Sequence, residues 1–94
     1  MVHGNGNTKM MQYTYVLYEK GKDRVYIGYT ADLGKRLKDH RYGGVHTTAR
    51  YKSKELVFYE AFLSEDDARR REKYFKTTKG KKALRLIIRS SIAK

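Results

Sequence analysis

Two stretches of this chain put reactive side chains where a core would ordinarily be apolar. In V-Y-I-G-Y-T-A-D-L-G-K-R-L-K-D-H, residues 25–40, Tyr26 stands near the end of a strand-forming segment and a helix-forming segment follows. That helix has Leu33 and Leu37 as its apolar marks, with Arg36 beside the stripe and His40 within it. A guanidinium and an imidazole one turn apart, facing inward beside a phenol, are poor core material and a good start for a site. The second stretch is residues 64–76, where Ala68 and Phe75 form the apolar stripe and Glu72 falls between them. A carboxylate there needs a cation, a metal or water at the edge of the stripe. Two readings are open: an i,i+4 ion pair with Lys76, or ligation of magnesium. In so basic a neighbourhood (Arg69, Arg70, Arg71, Lys73, Lys76, Lys79) the carboxylate stays ionised, as a metal ligand must.

Positioning these residues takes a small set of elements. Residues 13–18 and 24–28 favour extended structure, and the charged, glycine-containing stretch 19–23 between them predicts an antiparallel hairpin with a five-residue loop. Alternation puts Tyr13, Tyr15 and Leu17 on one face, and Tyr26 on the face opposite Val25 and Ile27. Gly28 is expected to close the second strand, and Thr30 or Asp32 to cap a helix over residues 31–42 that stops at Gly43-Gly44. Residues 45–54 read as a polar basic loop. Residues 55–62 are nearly continuously apolar, which predicts a central strand covered on both faces. Ser64 starts a helix to about Lys76, with Ser64 and Asp67 as ends of a capping box. Residues 77–80 read as a break, and residues 81–91 as a last helix marked by Leu84, Ile87 and Ile88. The expected fold is α/β, a three-stranded, mainly antiparallel sheet flanked by three helices. Residues 1–12 are expected as a disordered tail, with Met10-Met11 a candidate natural start, and residues 13–94 as a single domain.

Composition narrows the function classes. A chain of 94 residues with net charge +12 suits a nucleic acid, an anionic membrane surface or an acidic protein as partner. No segment joins a clean basic face to a broad apolar one, and no apolar run approaches the ~18 residues of a membrane span. Nucleic acid is therefore the favoured partner. The absence of cysteine excludes a disulfide framework and a thiolate metal site, and suits a reducing cytoplasm. There is no phosphate-binding loop of the nucleotide-hydrolase kind, no zinc-like spacing among His3, His40 and His46, and no base beside Ser90-Ser91.

Tyr15, Tyr26, Arg36, His40 and Glu72 remain. With L-V-F-Y-E-A-F and R-R-E-K-Y-F-K downstream, the string around Tyr26-Ile27-Gly28 resembles the GIY-YIG nuclease superfamily, most of all its small stand-alone bacterial members. These are related to the N-terminal nuclease domain of the excision-repair incision subunit. The resemblance implies a GIY-YIG endonuclease-like fold and a metal-dependent DNA endonuclease, with nicked or branched DNA as possible substrate and repair or recombination as setting. On that reading Tyr26 takes a proton from the attacking water, Tyr15 orients Tyr26, and Arg36 clamps phosphate oxygens. His40 relays the proton or binds phosphate, and Glu72 holds Mg2+ or Mn2+. Phosphate contacts fall to Arg36, Lys35, Arg50, Lys52, Arg71 and Lys76. The chain departs from the pattern in three places. Tyr13-Thr14-Tyr15 lacks the glycine of the first half-motif, Tyr29 stands where the repair subunit has a lysine, and an asparagine found after the glutamate in some members is missing. A nucleic-acid-binding module without efficient catalysis is the alternative, and an adaptor for an acidic protein a third reading. A monomer is the expected state.

Overall fold

The computed structural model describes residues 10–93. Strand β1 spans Gln12–Glu19 and β2 spans Arg24–Thr30, joined by a turn at residues 20–23. Helix α1 covers Leu33–Arg41, β3 Glu55–Phe62, α2 Glu65–Phe75 and α3 Thr78–Ile87. The three strands form one antiparallel sheet in the order β2-β1-β3. The expected α/β layout of three strands and three helices is therefore present, with several local differences.

The hairpin turn is one residue shorter than expected, because Glu19 pairs with Arg24 across the sheet. Asp23 takes the left-handed conformation (φ 49°) that the tighter turn requires. Its carboxylate accepts from Tyr18 at 2.7 Å and from Arg85 of α3 at 2.9 Å. Gly28 does not end β2, which continues through Thr30 while pairing with Tyr13 and Thr14. Asp32 is the residue that caps α1, accepting from the Lys35 amide at 3.1 Å.

The expectation of β3 as the central strand is wrong: β1 is central and β3 lies at an edge. The misleading signal has a physical source. Val16 pairs with Phe58 but Leu17 pairs with Leu56, so Val57 is an extra residue in a β-bulge. The bulge lets consecutive Val57 and Phe58 both pack on the core, which breaks the two-residue alternation of a half-buried strand. Burial on both sides belongs instead to β1, whose residues 14–19 are all buried.

One sheet face carries Val16 and Ile27, and α2 and α3 seal it with Phe75, Leu84 and Ile88. Thr14 ties β1 to α2 by donating to the Ala68 carbonyl at 2.6 Å. In the α2 cap, Ser64 accepts from Asp66, while Asp67 pairs with Arg70 rather than completing a box. The break expected at residues 77–80 is confined to Lys76 and Thr77, and residues 78–80 already belong to α3. Thr77 caps α3 by accepting from Gly80, and Gly80 lies buried inside the helix. A Cβ on Gly80 would sit 1.8 Å from the Tyr74 carbonyl oxygen, so the glycine is what lets α3 abut the end of α2. The other sheet face carries Tyr15, Leu17, Tyr26 and Gly28, in register as Leu17 with Tyr26 and Tyr15 with Gly28. Helix α1 lies over it.

Candidate active site

The face under α1 holds a cluster of aromatic and titratable groups. Tyr15 is 1% exposed, and its hydroxyl lies 2.7 Å from Nε2 of His40, itself 1% exposed. The Tyr26 ring packs edge-on to His40 at 4.9 Å between centroids and lies 6.1 Å from the Tyr15 ring. A helix that places Leu37 and His40 on one side delivers the imidazole into this face, and Lys54 holds the helix end by donating to the His40 carbonyl. Gly28 makes the room. A Cβ there would fall 2.6 Å from both Cζ and the hydroxyl oxygen of Tyr15, so only glycine lets the phenol lie across β2 to reach His40.

Electrostatics separates the roles of these groups. Burial raises the Tyr15 pKa well above the ordinary phenol range, with the charge and hydrogen bonding of Tyr26 adding to it and Arg36 opposing. Tyr15 is thus a protonated hydrogen-bonding group at neutral pH. His40 is pushed down, first by burial and then by the positive charges of Arg36 and Lys54, so its imidazole is neutral. Glu72 and Arg36 both act on Tyr15 through space. Helices α1 and α2 therefore bring opposite charges to bear on the same tyrosine.

Tyr15, Tyr26 and His40 are in direct contact, and the charges of Arg36 and Glu72 both act on Tyr15. Arg36 is half-buried and, among the described residues, its guanidinium has no ion pair or hydrogen bond. Arg24, Arg69, Arg70, Arg71 and Arg85 are all held by carboxylates. Glu72, 19% exposed, receives Lys76 at 3.0 Å, the i,i+4 pair that its spacing allows. Such pairs contribute about 0.3–0.5 kcal/mol, too little to withhold the carboxylate from a stronger cation. Among the described residues no three His, Cys, Asp or Glu side chains are grouped to hold a metal. Mg2+ commonly takes one or two carboxylates and fills its other positions with water and substrate phosphate. One shielded, singly paired glutamate fits that mode.

The outlying cations differ in availability. Lys35 is exposed and loosely paired with Asp39 at 3.5 Å. Arg50 and Lys52 are exposed on the loop before β3, where the Lys52 amide donates to buried Glu19. Arg71 is bound at both ends of its fork by Glu60 and lies over the Phe75 ring at 4.4 Å, which makes it part of the packing. Sequence reasoning missed a groove of about 560 Å³ that runs past Tyr26, lined by Tyr51, Lys76, Lys81 and Arg85 among others. Its walls come from β2, the loop before β3 and α3. No local periodicity could have joined them.

A family model described as the GIY-YIG catalytic domain matches residues 11–85. UPF0213 protein CPE1444 of Clostridium perfringens is 38% identical over 84 residues, 87% of this chain and 88% of that one. UPF0213 protein SAG0778 of Streptococcus agalactiae is 41% identical over 70 residues, 72% of this chain and 77% of that one. The solution NMR structure of the UPF0213 protein BH0048 from Bacillus halodurans aligns with a TM-score of 0.52 at 33% identity, covering 83% of this chain and 85% of that one. A family match that takes in every element from β1 into α3 leaves one assignment, and the chain belongs to the GIY-YIG family of catalytic domains.

Proposed function

We propose that the chain is a metal-dependent endonuclease that hydrolyses phosphodiester bonds in DNA. The observation that carries this reading is the contact of buried Tyr15 with His40 and Tyr26, and the charges of Arg36 and Glu72 also act on Tyr15. Phosphodiester hydrolysis needs a positioned water, a base for its proton, and positive charge on the phosphoryl oxygens. Arg36, unpaired and forked, binds the non-bridging oxygens. Tyr26, half-buried at the rim of the groove, takes the proton of the attacking water. A phenol with an ordinary pKa near ~10 would need about 4 kcal/mol to stand half-ionised at neutral pH. The neighbouring groups offer a route without a standing phenolate. As Tyr26 accepts the proton from water it passes its own to Tyr15, and the Tyr15 proton moves to Nε2 of neutral His40. Glu72 would hold Mg2+ or Mn2+, which when bound supplies Lewis-acid stabilisation and a template for the reacting oxygens.

The test is incubation of the protein with nicked, branched and duplex DNA in Mg2+ or Mn2+. Cleavage that Tyr26→Phe and Glu72→Ala each abolish is expected; no cleavage of any substrate, or unimpaired variants, overturns the reading. One observation favours a second reading, a binding module with little catalysis: Lys76 already engages the carboxylate that would take the metal. DNA affinity that falls with salt but ignores chelator and Glu72→Ala is its signature.

A further inference from the structure

The proposed chemistry makes no use of the loop before β3, yet that loop sends one side chain into the interior. A single 3-10 turn, His46–Thr48, lets Thr47 line the groove beside Tyr26 while Thr48 turns inward and is 0% exposed. The Thr48 hydroxyl lies 2.6 Å from Nδ1 of His40 and 3.5 Å from the Val45 carbonyl oxygen. The opposite ring nitrogen faces Tyr15 at 2.7 Å. Three buried groups thus form one chain, and its donors and acceptors constrain one another.

A neutral imidazole has one N–H and one bare nitrogen, and a hydroxyl donates once while accepting through its lone pairs. Arg36 and Lys54 both disfavour the imidazolium, so the choice is between the two neutral tautomers. With the Val45 carbonyl as acceptor for the Thr48 proton, the Thr48 oxygen receives Nδ1–H. Nε2 is then bare and accepts from Tyr15. The other tautomer reverses every bond. Nε2–H would donate to Tyr15 and turn the Tyr15 proton away from His40.

We propose that Thr48 is a positioning residue that holds His40 in the Nδ1–H tautomer and so keeps Nε2 bare as the acceptor of the Tyr15 proton. Its consequence for cleavage rests on the nuclease reading; the tautomer itself does not. The experiment is 15N NMR of the full chain labelled at histidine, where protonated and bare ring nitrogens resonate far apart, with His40 assigned against a His40→Asn variant. Wild type is expected to show a protonated Nδ1 and a bare Nε2. Thr48→Val, equal in shape without the hydroxyl, is expected to shift His40 toward Nε2–H, and Thr48→Ser to restore the wild-type pattern. If the chain cuts DNA, Thr48→Val slows cleavage by on the order of tenfold or more at unchanged DNA affinity, and Thr48→Ser recovers it. A bare Nδ1 in wild type, or an unchanged pattern in a folded Thr48→Val, overturns the proposal. Should Thr48→Val fail to fold, the wild-type and Thr48→Ser spectra decide it. Absence of cleavage in a wild type that shows Nδ1–H overturns the nuclease reading alone.

Discussion

Substitution of Gly28 by alanine tests whether the site is built by steric allowance. The new methyl would lie 2.6 Å from Cζ and from the hydroxyl oxygen of Tyr15, and 2.8 Å from Cε1. Comfortable carbon contacts begin near ~3.5 Å, so the ring or β2 must retreat by roughly 1 Å. Retreat of the ring stretches the 2.7 Å bond to His40 to about 3.7 Å, outside hydrogen-bonding range. Overpacking a filled site costs about 1–3 kcal/mol. A buried polar group left without its partner adds about 1–3 kcal/mol. Replacing a strand glycine returns roughly 0.5–1 kcal/mol. The net loss is about 1–5 kcal/mol, and at a central value of about 3 kcal/mol the melting temperature falls by roughly 12–24 °C for a domain of this size. Thermal unfolding followed by circular dichroism reads it, with Gly21→Ala as control because no atom lies within 4 Å of that added methyl. A Gly28→Ala protein melting within about 4 °C of wild type, the equivalent of ~1 kcal/mol, would refute the reasoning.

Other outcomes follow from the same geometry. Gly80→Ala drives a methyl to 1.8 Å from the Tyr74 carbonyl oxygen and 3.0 Å from Phe75 Cα; since backbone cannot yield as a side chain does, the denaturant midpoint should fall further than for Gly28→Ala. Tyr15→Phe leaves Nε2 of buried His40 unpartnered and should cost about 1–3 kcal/mol in urea unfolding, in addition to any loss of cleavage. Stability should decline with acid in two stages. The lowered pKa of His40 makes the unfolded chain bind the proton first, so stability is full above the unfolded value of 6.5 and is lost as pH falls through the folded one. Glu19, held down by the Lys52 amide and by Arg24, acts in the same sense from 4.5 downward, and Glu19→Gln should flatten that lower limb in pH-dependent melts. Lys81→Ala should weaken DNA binding and reduce the slope of log affinity against log salt by about 0.9 if Lys81 meets a phosphate; an unchanged slope removes the groove from the DNA path.

What could be read without coordinates was whatever one element encodes by itself. The hairpin, the helix of Arg36 and His40, and the helix of Glu72 follow from propensity, caps and stripe, and register then sets Tyr15 beside Tyr26. Features that depend on two distant elements were hidden. The β3 bulge imitates a strand buried on both sides, because its extra residue is defined only against β1. Gly80 looks like punctuation until α2 is placed against it. Thr48 sits in an aperiodic polar loop, and nothing local distinguishes it from Thr47. Glu72 was ambiguous for a sound reason, since its helix neighbour Lys76 satisfies it cheaply, as the spacing alone allows.

The clamp between Arg85 and Asp23 has a consequence for how the molecule comes into being. Residues 62 positions apart close the hairpin turn against α3, and the lid over Val16 and Ile27 includes Leu84 and Ile88. A ribosome therefore releases the hairpin long before the helix that shields its oily side. During that interval the nascent sheet is exposed to chaperones and to self-association. Maturation waits on the arrival of α3, and a chain cut short ahead of it would leave the sheet face under Leu84 and Ile88 uncovered.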